Sequence, residues 1–376
     1  MTNTGIPIIR ATNIERGKIN GQSLIYTELN DLPLNRAPLL REGEILVVRS
    51  GAYTGDSARI TREWVGSAPG YDLRTFPWDV DSRFLAYSLL GKSVADQIDI
   101  VKNRAAQPHL NAEEFGEIRI FVPEKKSQTT IVDYLDTETA RIDALITKKH
   151  KLSALLDDRF RSYADWATQQ GTAIAMRRVT SVITSGPRGW SEYAGDSGRP
   201  FIRSANLHRD SLRLREDNLL RVEVPSSAAE ALRSQVQVGD TVVGITGANT
   251  GWTGLVGEPH SKGYVSQHVA LLRPRGIIPE WLAYSVFSRR VQEQLMAGQY
   301  GGTKLQLGLD DLASLTIFAP SVEDQKRVCR ELEQAAQHRR KLSDRLLRQI
   351  ELLREHRQAL ITATVTGELD VARRGG

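Results

Sequence analysis

Two stretches of the chain carry apolar residues at heptad spacing. The first runs from Ile131 through Leu135, Ile142, Leu145, Leu152, Leu156 and Tyr163; the second runs from Val328 through Leu332, Ala335, Leu342, Leu346, Leu353 and Leu360. Spacings of three, four and seven put each set on one helical seam. Over residues 321–360 there is no Gly or Pro, and 17 of 40 residues are Asp, Glu, Lys or Arg, so charge flanks the seam on both sides. A long helix of this kind needs a helical partner, and the simplest partner for each is the other. With one globular stretch between them in sequence, an antiparallel pair is expected. About 40 residues at ~1.5 Å each span roughly 60 Å, the dimension of a spacer.

The pattern ahead of each helix is different. Residues 44–49 and 240–246 are short β-branched runs bounded by glycine, which reads as strand then turn. Residues 84–97 and 281–295 place apolar side chains at helical spacing, among them Leu85, Leu89 and Leu90, and Leu282, Val286 and Val291. Each stretch therefore predicts a mixed α/β globular unit.

The two halves repeat one another. Pro7-Ile8-Ile9-Arg10-Ala11-Thr12-Asn13-Ile14 returns as Pro200-Phe201-Ile202-Arg203-Ser204-Ala205-Asn206-Leu207. Gly43-Glu44-Ile45-Leu46-Val47-Val48 and the turn Ser50-Gly51-Ala52-Tyr53-Thr54-Gly55 return as Gly239-Asp240-Thr241-Val242-Val243-Gly244 and Thr246-Gly247-Ala248-Asn249-Thr250-Gly251. Phe84-Leu85-Ala86-Tyr87-Ser88 matches Trp281-Leu282-Ala283-Tyr284-Ser285, and Ile118 to Pro123 with Gln128 matches Leu315 to Pro320 with Gln325. The offsets are 193, 196, 197 and 197, a register that chance does not hold over four motifs. The expected domains are a first unit over 1–123, a helix over 124–170, a second unit over 171–320, and a helix with tail over 321–376. About 25 residues precede Pro200 within the second unit, whereas six precede Pro7. The first unit is thus expected to lack a leading strand, from a late start or a natural shortening.

Composition narrows the setting. Fifty Lys and Arg against 45 Asp and Glu leave a net charge of +5, only mildly basic, so charge alone does not argue for a polyanionic partner. No stretch approaches the roughly 20 apolar residues of a membrane span, and residues 1–10 lack the pattern of a signal peptide. The single cysteine, Cys329, offers neither an internal disulfide nor a zinc site. A cytosolic (cytoplasmic) protein, with no membrane partner, is expected.

A search for chemistry finds no complete constellation. Glu124-Lys125-Lys126 resembles a nuclease fragment, with Asp72, Asp79 or Asp81 as the upstream carboxylate, but the second repeat has Ser321-Val322-Glu323 in its place. A solvated helix start explains it better. The seven histidines (His109, His150, His208, His260, His268, His338 and His356) show no metal-ligand spacing. The glycine turns at 50–55 and 246–251 lack the ending of a P-loop and the pattern of a dinucleotide fold. No catalytic residue, metal or cofactor is expected.

The ordered motifs resemble the specificity subunit of type I restriction-modification enzymes over nearly the whole chain. The features that carry the resemblance are the Ile-Arg-x-x-Asn segments at Ile9 and Ile202, the Gly-Asp/Glu strands at Gly43 and Gly239, and the Ser/Thr-Gly-Ala-x-Thr-Gly turns. The Pro-x-x-x-x-Gln helix starts at Pro123 and Pro320 and the ending Thr364-Val365-Thr366-Gly367-Glu368-Leu369-Asp370-Val371 complete them. The resemblance implies an α+β fold: two pseudo-twofold-related mixed α/β target recognition domains separated by two long antiparallel coiled-coil helices. It also implies a non-catalytic subunit that binds double-stranded DNA, one half-site per domain. Two methyltransferase subunits would dock on the helices, and restriction/translocase subunits would join through the complex, catalysis lying in those partners. An interaction scaffold whose paired helices organise proteins without reading DNA is the alternative, and an autonomous nuclease or methyltransferase a third reading.

Arg and Lys can contact guanine, Asn and Gln adenine, and Ser or Thr either bases or phosphates. On that chemistry the DNA-facing candidates in the first unit are Arg10, Asn13, Arg49, Tyr53, Thr54, Arg104, Gln107 and His109. Those in the second are Arg203, Asn206, Asn249, Thr250, Trp252, Tyr300, Lys304 and Gln306. Asn13 and Asn206 could equally cap the turn that follows each of them. Loops 102–110 and 299–307 are the stronger candidates, being polar and different between the units.

Overall fold

The computed structural model describes residues 5–102, 108–224, 229–297 and 306–371. The chain packs as two compact units, one formed by Met1–Lys149 with Leu347–Gly376 and the other by His150–Leu346.

In the first unit, β1 (Ile6–Ile9) pairs antiparallel with β2 (Ile25–Thr27). A second sheet is built on β3 (Ile45–Val47) with β4 (Ser57–Arg59) antiparallel on one side. The short β5 (Ala68–Pro69) runs parallel to β1, and β6 (Leu73–Thr75) is antiparallel to β3 on its other side. Alternation along β3 sends side chains to two cores. Leu46 and Val48 join Ile9, Ile14, Leu40 and Ile60, while Ile45 and Val47 join Leu89, Val94, Ile98 and Leu110.

The helices follow. α1 (Ser82–Leu90) starts where the Asp81 carboxylate accepts the main-chain N–H groups of Arg83 and Phe84. Extended backbone at Gly91 ends it, and α2 (Lys92–Lys102) begins directly after. The single helix expected over 84–97 is therefore two. α3 (Ala112–Gly116) is one short turn, and α4 (Lys125–Ala167) is the long helix.

The second unit repeats the plan with additional strands. β7 (Thr172–Ala175), β8 (Thr180–Ser185), β9 (Arg199–Ile202) and β10 (Leu220–Val222) precede β11 (Thr241–Gly244), β12 (Thr253–Leu255), β13 (Tyr264–Val265) and β14 (Val269–Pro274). β9 is antiparallel to β10 and parallel to β13, just as β1 is to β2 and β5. β11 lies between β12 and β14, and β8 closes the other edge of β14. In the first unit β6 takes the place of β14, and no strand among the described residues pairs with its outer edge.

α5 (Pro279–Phe287) and α6 (Arg289–Ala297) meet at an extended Ser288, so the helix expected over 281–295 is also broken. Then come α7 (Leu309–Ser314), β15 (Thr316–Ala319), antiparallel to β7, and the long α8 (Val322–Val365).

Within each unit the long helices pair antiparallel. In the first, Asp143 bonds Arg357 at 3.1 Å and Lys149 bonds Gln349 at 2.7 Å. In the second, Asp157 pairs with Arg339 and Tyr163 with Glu331. The buried positions depart from the expected seam. Leu135, Ile142, Val328, Leu332 and Leu346 are buried as the heptads require, but Leu145 and Leu152 are 41% and 47% exposed. Phe160, Ala164 and Ala167 bury the later part of α4 against the second unit's own core. The seam pattern alone did not register that a globular core competes with the partner helix for each helix end.

Two buried polar contacts recur. A carboxylate at the base of the central strand meets an arginine on the neighbouring strand: Glu44 with Arg74 at 2.6 Å, and Asp240 with Arg273 at 2.8 Å. At the start of each long helix a buried glutamine ties helix to unit. Gln128 accepts the Asp81 main-chain N–H at 2.8 Å and donates to the Pro123 carbonyl at 2.7 Å. Gln325 accepts from the Ile278 N–H and donates to the Pro320 carbonyl, both at 2.9 Å. Replacing Gln325 with Ala orphans a buried main-chain donor. The expected cost is about 1–3 kcal/mol, read as a lower midpoint in chemical denaturation, and Gln325→Glu, which sets a buried carboxylate against the Pro320 carbonyl, should lower it too.

Candidate nucleic-acid interface

The Arg-x-x-Asn segments fold into the same turn in both units. The Arg10 main-chain N–H donates to Asn13 Oδ1 at 3.2 Å, and Asn13 Nδ2 donates to the carbonyls of Asn20 and Gln22 at 3.1 and 3.0 Å. The Arg10 guanidinium donates to the Ser23 carbonyl at 2.9 Å. In the second unit the Arg203 N–H donates to Asn206 Oδ1 at 2.9 Å, Asn206 Nδ2 to the Arg215 carbonyl at 3.2 Å, and the Arg203 guanidinium to the Asn218 carbonyl at 2.9 Å. Asn13 is 1% exposed and Asn206 fully buried. Buried amides must be hydrogen-bonded, and these spend their donors and acceptors on the loop that follows. That takes the turn-capping alternative and leaves neither carboxamide at the surface. Arg10 and Arg203 brace the same loops.

The glycine turns also divide into frame and surface. Thr54 Oγ1 donates to the Gly51 carbonyl and Thr250 Oγ1 to the Gly247 carbonyl, each at 2.7 Å. Gly55 and Gly251 have φ of 97° and 84°, a region that glycine enters freely. A Cβ on Gly55 would meet Ile98 at 2.8 Å. The two threonines therefore shape the turn, and the residue before each differs in chemistry between the units. Tyr53 is half exposed, while Asn249 donates to the Ser204 carbonyl at 2.8 Å. Trp252 lies half-buried against the core of Ile202, Leu207, Val242 and Val256.

Beside each turn a later segment crosses the end of the central strand. Ser50 bridges His109 and Thr246 bridges Gln306, both antiparallel. The Leu110 N–H donates to the Arg49 carbonyl at 2.8 Å, and the Leu307 N–H to the Ile245 carbonyl at 2.9 Å. The backbone stations are equivalent and the side chains on them differ. Arg104, Gln107, Tyr300 and Lys304, from the neighbouring loops, lie outside the described residues.

In the first unit the Arg49 guanidinium sits 4.6 Å over the Tyr71 ring, and one of its nitrogens lies 3.4 Å from His109 Nε2. The Asp72 carboxylate accepts the Arg49 main-chain N–H at 3.4 Å. Burial raises the Asp72 pKa, against the opposing pull of that hydrogen bond and of the Arg49 charge. In the second unit Thr246 Oγ1 and His268 Nδ1 are 2.7 Å apart, and the other imidazole nitrogen is 3.0 Å from Gln267 Nε2. Sequence reading did not place Tyr71, Asp72, Gln267 or His268 among the DNA-facing candidates. The signal was present, because they follow the paired strands β5 and β13 at the same offset of 196 as the glycine turns.

Each cluster offers donors, acceptors and an aromatic or imidazole face. Among the described residues no group of three His, Cys, Asp or Glu could hold a metal ion, and no helix is long and apolar enough to cross a membrane. Cys329 is buried, and burial pushes its thiol up to about 12, which keeps it protonated at neutral pH.

Comparison with known proteins fits this geometry. Residues 2–154 match the family described as Type I restriction modification DNA specificity domain. The chain is 21% identical over 393 residues to the type I restriction enzyme EcoKI specificity subunit of Escherichia coli (strain K12), covering 97% of this chain and 82% of that one. A chain from a structure on complex assembly and conformational transition of the type I R-M system superposes with a TM-score of 0.74 at 17% identity, over 97% of this chain and 92% of that one. The HsdS subunit from Thermoanaerobacter tengcongensis superposes with a TM-score of 0.50 at 16% identity, over 97% and 91%.

The division into frame and surface is testable. Asn206→Ala should cost about 1–3 kcal/mol of stability in thermal or chemical denaturation, since it orphans the Arg203 N–H. Gln306→Ala, at an exposed station, should leave the melting curve in place and alter DNA preference instead.

Proposed function

We propose that this chain, a type I restriction-modification specificity subunit by its domain family and its fold, reads a bipartite DNA site with one globular unit for each half. The observation that carries the reading is the duplicated station beside the glycine turn. One backbone frame, held by the same asparagine, threonine and glutamine contacts, presents Arg49, Tyr71 and His109 in one unit and Gln267, His268 and Gln306 in the other. A scaffold has no need to vary such a surface on an invariant frame; two readers with different targets do. Phosphate contacts by Lys and Arg would supply most of the affinity, and these stations the discrimination.

The paired helices serve as ruler and docking surface. Leu145, Leu347 and Leu352 in the first unit, and Leu152 and Leu155 in the second, are 41–63% exposed. Apolar side chains at such positions suit helices of two methyltransferase subunits, with restriction/translocase subunits joining through the complex. Adenine methylation and cleavage belong to those partners, and this subunit supplies the address. Gel shift with duplex, with and without the methyltransferase subunit, separates this reading from the scaffold. Sequence-specific retention that falls steeply with salt supports DNA reading, and assembly with no duplex retained supports the scaffold.

The ruler has its own test. Adding one heptad to each helix, after Lys148 and after Gln349, keeps the antiparallel partners Lys149 and Gln349 together. Seven residues at ~1.5 Å add roughly 10 Å, about three base pairs at ~3.4 Å each. A binding selection should return the same half-sites with a spacer about two to four base pairs longer. An unchanged spacer sinks the ruler.

A further inference from the structure

Most arginines of the first unit with a described partner are spent on internal contacts. Arg74 is paired with the buried Glu44, Arg83 with Asp133 and Asp136, and Arg357 with Asp143, while Arg10 braces a loop carbonyl. Arg49 is held differently. No carboxylate among the described residues forms an ion pair with its guanidinium; Asp72 takes its main-chain N–H instead. The guanidinium lies over the ring of Tyr71, which is 80% exposed, and one of its nitrogens meets His109 Nε2. The guanidinium can only donate, so in this contact Nε2 is the accepting nitrogen. Stacking and the imidazole contact fix a side chain that would otherwise lose rotamer freedom on binding. Among the described residues the other terminal nitrogen has no hydrogen-bond partner, while Nε is buried without one. At the same station the second unit has Ile245, 6% exposed and unable to donate.

We infer that Arg49, backed by Tyr71 and oriented by His109, reads a guanine in the half-site of the first unit, and that the second unit has no such reader at this station. The inference rests on the proposed DNA-reading function. A planar fork that only donates matches a base edge presenting two neighbouring acceptors. In the major groove that edge is O6 and N7 of guanine, whereas adenine offers one acceptor beside a donor.

The test uses the full chain assembled with its methyltransferase subunit. A binding selection with wild-type protein defines the two half-sites, and each guanine is then replaced singly by 7-deazaguanine, which lacks N7. One replacement, confined to the half read by the first unit, should weaken wild-type binding about ten- to a hundred-fold. Arg49→Ala should lose the preference at that base pair and become indifferent to the replacement, while its preferences in the other half stay intact and show that the protein is folded. Arg49→Lys, which keeps the charge without the fork, should retain affinity and lose most of the discrimination. Tyr71→Phe should behave as wild type and Tyr71→Ala should weaken discrimination at the same pair. The inference is overturned if Arg49→Ala keeps every guanine preference, or if it weakens all sequences equally with a shallower salt dependence, as a phosphate contact would. It is also overturned if the first half-site contains no G·C pair. A wild-type complex that selects no site at all overturns the DNA-reading function itself.

Discussion

A buried glutamine at the start of each long helix is the contact on which the architecture depends. Gln128 and Gln325 are each 2% exposed, and each spends both ends of its amide on main-chain groups from two directions. One end holds the Val-Pro or Ala-Pro stop from which the helix departs. The other holds the chain at the start of the first helix of the globular unit, α1 or α5. An unsatisfied amide at such a depth costs more than the bond returns, so the two elements are held in one arrangement rather than merely packed. The helix can then act as a rigid extension of the unit.

The same logic separates what the two units share from what they do not. The shared residues face inward: Asn13 and Asn206 within their turns, Thr54 and Thr250 across theirs, and Glu44 and Asp240 against Arg74 and Arg273. They are repeated because each satisfies main-chain groups or a charge within the frame, most of them at buried or half-buried positions. The side chains at the stations beside the turns are free of that duty. Arg49 and Ile245, Tyr71 and Gln267, and His109 and Gln306 occupy matching backbone with unrelated chemistry. Repetition in this chain therefore marks scaffold, and the side chains that diverge on matched backbone are the ones the scaffold does not need.

The units differ in how their sheets are edged. In the second, β14 is paired on both edges, by β8 and β11, and β7 pairs with β15. In the first, β6 is paired by β3 alone among the described residues, and Phe76 and Trp78 just beyond it are 63% and 91% exposed. After α8, Gly367 approaches the Phe121 ring much as Gly171, after α4, approaches Ala319 and Pro320. The segment following one helix thus returns to the unit that gave rise to the other, and each unit is assembled from both long helices.

The sequence by itself determined the repeat, its register, the two long helices and the absence of a complete catalytic motif, because each is written in local spacing. Heptads, Gly-bounded β-branched runs and constant offsets survive without knowledge of neighbours. Tertiary structure decided which polar residues face inward. Asn13 and His109 are equally polar on paper, and only the fold buries the first in its turn and sets the second beside Arg49. It decided the helix breaks at Gly91 and Ser288 and the exposure of Leu145 and Leu152 in the middle of α4. It also decided the pairing of Arg49 with Tyr71, which lie on different strands or loops and meet only because β3 and β6 are hydrogen-bonded neighbours. A reading surface is made of contacts between segments distant in sequence, and those are set by packing rather than by any local pattern.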